Sequence, residues 1–253
     1  MSTAVLTAFV IIPFASTPAA AYPVKGEELT ANSLYDTGPV EATSCREPSV
    51  RPFDIARAKA YVRAVHACTD RMWRKHFKAA GLPYSSPKVT FITRKNARFC
   101  GEKWDAVGVY CAKTRTYAVS LLRDTMTEPD DLYLMNVIAH EFGHHVQELT
   151  GLADAYVEEP YRHKKEMLEQ NRRHELQAEC LSGVVIGGLW DSLDRSSADW
   201  RDLLAIAADS GDDATSDRTH GADRNVRYWL GRGFRAASPE ACNTWTAPSS
   251  RVA

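Results

Sequence analysis

The sequence has little that would mark a membrane or nucleic-acid protein. Beyond residue 21 no apolar run approaches the roughly 20 residues a bilayer-spanning helix needs. Charge of either sign is not in excess: 31 Lys and Arg against 32 Asp and Glu leave a net charge of -1. No polybasic or polyacidic character therefore points to a nucleic acid or a charged membrane surface. There is no C-x-x-C, which argues against a zinc ribbon. There is also no internal repeat and no low-complexity tract, so one domain is the simplest organisation. What is present is 253 residues of ordinary globular composition, 44% hydrophobic and 25% charged, sufficient for a core of its own.

Residues 1–21 stand apart. They carry no charged side chain, run apolar from Ala4 to Phe14, and close on Ser16-Thr17-Pro18 and Ala19-Ala20-Ala21. That is a secretory signal pattern with cleavage expected after Ala21. Pro13 and the short length exclude an ordinary span. The alternative is an uncleaved N-terminus that tethers the protein to a membrane. Six cysteines follow, Cys45, Cys68, Cys100, Cys111, Cys180 and Cys242. An even number behind a signal-like segment suits disulfides in an oxidising compartment. The expected pairs are Cys45–Cys68, Cys100–Cys111 across a hairpin, and Cys180–Cys242. The protein is thus expected to be secreted.

Residues 22–52, rich in Pro, Gly, Thr and Ser, read as an extended arm that could cover a cleft. Residues 53–253 form the domain. Asp54 to Ala80 reads as a helix with Ile55, Ala58, Val62, Val65, Met72 and Phe77 on one stripe, ended by Gly81-Leu82-Pro83. Three β-branched or aromatic runs follow, near residues 89–93, 107–110 and 117–121. They predict a small antiparallel sheet whose edge, the 117–121 strand, aligns an extended peptide. Thr127 and Pro129 signal the start of a helix that runs to Leu149 and buries Met135, Ile138, Phe142, Val146 and Leu149. Residues 154–174 are charged and read as a solvated loop and helix start. That helix continues to about Leu189, and its Gly183, Gly187 and Gly188 permit close packing. Two more helices are expected at 199–209 and 225–234. The fold class is α+β, mostly helical.

The chemistry concentrates in His140-Glu141-Phe142-Gly143-His144, an H-E-x-x-H pattern inside the Leu149 helix. Four residues apart on a helix, His140 and His144 share a face and can hold one metal ion. A catalytic zinc takes three protein ligands and leaves a position for water. Glu175 on the following helix supplies the third. Glu179, one turn on, would accept from the free nitrogen of a liganding imidazole. Glu141 is placed as general base, taking a proton from zinc-activated water. Glu148 lies beyond the motif, facing solvent. His145 points to another face and is structural. His66, His76 and His163 lack ligand spacing, and His174, beside Glu175, is the one near competitor for the ion. One zinc ion and a peptide or protein substrate are implied, with no nucleic acid and no stable membrane span after signal cleavage.

Several separate blocks resemble the neutral zinc metallopeptidase family of bacteria. They are Phe99-Cys100-Gly101, Val109-Tyr110-Cys111 and Tyr117; His140 to Gln147; Glu175-Leu176-Gln177-Ala178-Glu179-Cys180; Gly211-Asp212-Asp213; His220-Gly221; and Arg227 through Gly233 to Ala241-Cys242-Asn243. The resemblance implies a gluzincin-like, zincin-type fold with a downstream Glu ligand, and supports the pairings Cys100–Cys111 and Cys180–Cys242. Glu179 stands where that family usually has Asp. His220, in a block outside any helix stripe, is the candidate oxyanion donor, with Tyr228 behind it. Two other readings use the same residues: a zinc amide or ester hydrolase of cell-wall material, and a non-catalytic zinc-binding homologue.

Overall fold

Helix α3, Asp131–Leu149, is buried on nearly every face from Leu132 to Gln147, and the other elements are laid around it. Such a helix belongs at the centre of a core rather than on its surface. The computed structural model describes residues 24–253 apart from 105, 124, 128, 129 and 215–217. The expected signal segment therefore lies outside the described residues, and so does Pro129. The cap of α3 is Asp130, whose side chain accepts from the Tyr133 amide, and not Thr127 three residues earlier. Asp at this position also meets the positive end of the helix dipole.

The chain enters through α1, Glu27–Thr30, and a 3-10 turn at Ser33–Asp36, then runs extended to the long helix α2, Ile55–Ala79. The arm is more than a spacer. Leu29, Leu34, Tyr35 and Val40 are buried in the core, and Cys45 is bonded to Cys68 of α2. Its backbone docks on the far side of the molecule, Val40 to Ala237 and Thr43 to Gly188. Asp54 caps α2 by accepting from Arg57, and Gly81 at φ +70 leaves it in the left-handed conformation that favours glycine.

Strands β1, Lys88–Ile92, β4, Gly108–Cys111, and β5, Thr116–Ser120, form one sheet in the order β1-β5-β4. A two-stranded ribbon, β2 Arg98–Phe99 with β3 Glu102–Lys103, hangs from it and is tied to β4 by Cys100–Cys111. The β4–β5 pair is antiparallel, as expected, but β1 runs parallel to β5, so the sheet is mixed. The long excursion between β1 and β5 lets the chain return in the same direction, which a tight hairpin cannot do. The second correction concerns the edge. The 117–121 strand sits in the centre of the sheet and cannot add a peptide; β4 is the free edge beside α3.

After α4, Leu152–Glu158, helix α5 runs unbroken from Lys164 to Leu189, so much of the charged 154–174 stretch is helical. Helix α5 crosses α3 at Gly143, where a Cβ would lie 2.9 Å from the Ala178 carbonyl. Only glycine allows the two backbones to approach this closely. Helices α6, Ser197–Ala208, and α7, Asp223–Ala236, complete the bundle, and Cys180–Cys242 ties α5 to the C-terminal segment. All three disulfides match the pairs chosen from the sequence. Phe142, Ile138, Leu181 and Val184 are fully buried in this layer, each worth roughly 1.5–3 kcal/mol of burial. The α3–α5 contact is thus a rigid platform. No helix among the described residues is long and apolar enough to cross a membrane.

Candidate metal centre

The platform brings three ligand atoms together. His140 Nε2 lies 3.4 Å and His144 Nε2 3.3 Å from the same Glu175 Oε2, and all three atoms fall within 4.8 Å of one another. Two ligands about 2.0–2.1 Å from a tetrahedral zinc lie about 3.3–3.4 Å apart, and both His–Glu175 spacings match that value. The donor set, two imidazoles and a carboxylate, suits zinc as well. His174 does not join it. Its ring stacks between His144, at 5.0 Å, and Tyr156, at 4.5 Å, and burial pushes its pKa down to about 3. It acts as a neutral plate behind a ligand.

Both imidazoles are turned by partners on their other nitrogen. His140 Nδ1 donates to Glu179 Oε2 at 2.9 Å, while Asn136 Nδ2 donates to Glu179 Oε1 and Ser182 Oγ donates to Asn136 Oδ1. The longer Glu in the family's usual Asp position therefore reaches its histidine. His144 Nδ1 donates to Gln147 Oε1 at 2.9 Å, and Gln147 Nε2 is fixed by the His174 carbonyl and Gln177 Oε1. Sequence reasoning missed Gln147. The available signal was a polar residue three positions after a ligand on an otherwise buried helix. With each Nδ1–H committed, each Nε2 lone pair is free for a metal.

Burial opposes charge on His140 and His144, but Glu175, with Glu179 for His140, outweighs it and holds both above the usual imidazole range. Burial likewise opposes the Glu175 carboxylate, yet the two imidazoles hold its pKa well below the ordinary range. Without an ion these groups form an ion-pair cluster, and a bound cation would take the place of the protons on the two Nε2 atoms. Glu141 differs. It is 6% exposed, its Oε2 has no hydrogen-bond partner, and burial raises its pKa while the two imidazoles partly offset the rise. An orphaned carboxylate oxygen beside this triangle is a group prepared to take a proton.

The site opens into a cavity of about 460 Å³ bounded by β4, α3, α4 and the His220 loop. Gly108 of β4 lies against Glu141, where a Cβ at residue 108 would come within 2.9 Å of Glu141 Cγ. Ser120 N–H donates to the Val107 carbonyl. By the alternation of an antiparallel ladder, Gly108 and Tyr110 then turn their peptide groups away from β5. His220 stands on the cavity rim, 49% exposed, with Nε2 3.8 Å from Glu175 Oε2. Its loop is pinned by buried Asp212, whose carboxylate accepts from the amides of Thr219, His220 and Gly221. The Tyr228 ring lies under Arg251, and its hydroxyl accepts from Arg232. Glu148 is displaced from expectation: it is held by Tyr110 Oη and Arg115 Nε, clamping the sheet to α3. His145 bridges Tyr110 and the Ser85 carbonyl in a structural role. No described residue of the N-terminal arm lines the cavity.

Comparison with known proteins agrees with a zinc site. The profile of the family described as "Putative neutral zinc metallopeptidase" matches residues 29–245. The chain is similar to the uncharacterized protein YpfJ of Escherichia coli (strain K12), 29% identical over 223 residues that cover 78% of this chain and 74% of that one. It is similar also to the uncharacterized protein Rv2575 of Mycobacterium tuberculosis, 30% identical over 191 residues that cover 65% of this chain and 64% of the relative. No solved structure matches the chain.

Proposed function

The chain belongs to the neutral zinc metallopeptidase family, and on that premise we propose that it is a secreted zinc-dependent peptidase that hydrolyses peptide bonds with Glu141 as general base. The observation that carries the reading is the pairing of a three-ligand triangle with a buried, unpartnered carboxylate on the same helix. A structural site has no use for that carboxylate. His140, His144 and Glu175 would hold one zinc ion. When bound, zinc supplies Lewis acidity, polarising a carbonyl and lowering the pKa of water to about 7.

The protein's own groups account for the remaining steps. A peptide lies along the outward peptide groups of Gly108 and Tyr110 as an added strand. Its scissile carbonyl is brought over Glu141. Glu141 takes the proton of the attacking water and passes it to the leaving amine nitrogen, so no net proton is consumed. The raised pKa of this carboxyl moves it toward the range in which both transfers are fast. His220 donates a hydrogen bond to the tetrahedral oxyanion. Glu179 and Gln147 keep the two imidazoles aimed. The N-terminal apolar segment and three disulfides support an extracellular site of action.

The test is metal content and peptide hydrolysis of the native protein and Glu141→Gln. The variant should retain zinc and lose roughly 100- to 10,000-fold in kcat. Equal turnover by the two proteins would remove Glu141 from the reaction.

A further inference from the structure

The cavity over the metal centre does not end there. A smaller space of about 180 Å³ runs from His140 and Glu141 past Val137 to Tyr133, between α3 and the start of β4. Beyond it lies a third space of about 380 Å³, which shares Ala106, Val107 and Tyr133 with the second. Its walls are apolar: Val107, Leu122, Met126, Leu134 and Ile206, with the Tyr133 ring at the mouth. Among the described residues its one acidic lining residue, Asp130, caps α3. Val107 is 44% exposed although it sits at the junction of strand and pocket. Among the described residues, no Lys or Arg lines any of these three spaces.

The geometry points to a distal apolar subsite, so that the enzyme cleaves internal bonds of extended polypeptides carrying a large apolar side chain about three residues from the cleaved bond. This inference rests on the peptidase reading above. Tyr133, Val137 and Glu141 follow one another at helical spacing on one face of α3. Eight residues of helix place Tyr133 about 12 Å from Glu141. An extended peptide advances about 3.3 Å per residue, so the pocket meets a side chain about three positions away and not the one flanking the scissile bond. The same backbone that would pair with the peptide, β4 at Gly108, leads directly into Val107 and Ala106 on the pocket wall. The occupant is therefore a substrate side chain in continuity with the cleft. Among the described residues no Lys or Arg lines these walls to hold a substrate's terminal carboxylate, while Asp130, Glu141, Glu175 and Glu179 would repel it. That disfavours release of single C-terminal residues. At the opposite end the cleft passes Val157, 78% exposed, and leaves room for further residues.

The experiment uses internally quenched peptides of about ten residues, varied one position at a time between Leu or Phe and Ala, with cleavage points read by mass spectrometry. The native, zinc-loaded protein should prefer Leu or Phe at one position about three residues from the cut, by roughly tenfold to a hundredfold in kcat/KM. That ratio should collapse toward one in Ile206→Asp. Val107→Asp, at an exposed position that keeps the fold, should lower it too. Cleavage without preference at that position, or a preference that both variants keep, overturns the subsite. Rapid trimming of single residues from the C-terminus overturns it as well. Absence of cleavage of every peptide by zinc-loaded native protein is a different result: it removes the peptidase reading, and the subsite with it.

Discussion

His140 and His220 face the same cavity and are held in opposite ways. His140 rises from a helix that is buried on nearly every face, and its outer nitrogen is answered by Glu179, Asn136 and Ser182 in series. His220 sits half-exposed on a loop, and what fixes it is backbone: Asp212 receives three consecutive amides, while among the described residues the imidazole itself meets Thr219 and the edge of Glu175. The wall that would hold the ion is over-determined by packing and charge. The wall that would meet the substrate is positioned but left open, as a group that forms its best contact only in the transition state should be.

The most severe way to break this contrast is to remove a ligand from the buried wall. Glu175→Ala should lose most bound zinc, a deficit well beyond the roughly 10- to 100-fold of an outer-shell change, and with it all hydrolysis above background. Metal stoichiometry after dialysis checks this. Full zinc in the variant would hand the third position to His174 or Glu179. His220→Ala should do the reverse. Zinc content stays at one equivalent, and kcat drops about 100- to 1,000-fold with little change in KM. A variant that lost zinc instead would place His220 among the ligands.

The two walls were also unequally legible in the sequence. The buried wall announced itself because its determinants are local: a capped helix, two histidines at i and i+4, and a pair of glutamates with the same spacing on the next helix. Its Gln147 was overlooked because the Gln177 and His174 groups that immobilise it come from another helix. Glu148 was misread for the same reason, since Tyr110 and Arg115 reach it from the sheet. The substrate wall depends on strand order, and short apolar runs do not reveal their partners. Whether β1 joins β5 parallel or antiparallel is set by where the chain returns, so the central and edge strands were interchanged. The Asp212–His220 clamp links two blocks quoted separately from the sequence, and only the folded loop shows why they occur together.

Between the extremes lies a graded test. Glu179→Gln keeps the shape behind His140 but removes the charge, and should cost roughly 10- to 100-fold in zinc affinity by competition with a chelator. Unchanged affinity would mean that the His140 ring is fixed by packing alone. The mildest perturbation falls on the open wall. Asp212→Asn keeps the volume of a buried side chain and halves its acceptor capacity, so the three amides of Thr219, His220 and Gly221 cannot all be satisfied as before. The loop should loosen without releasing zinc, and kcat should fall by about tenfold, less than deletion of the imidazole itself. Because Asp212 meets the His220 loop at its backbone amides, the informative readout is the double variant. If Asp212 acts only by positioning His220, Asp212→Asn should have little further effect in the His220→Ala background; additive losses would give the aspartate a role of its own.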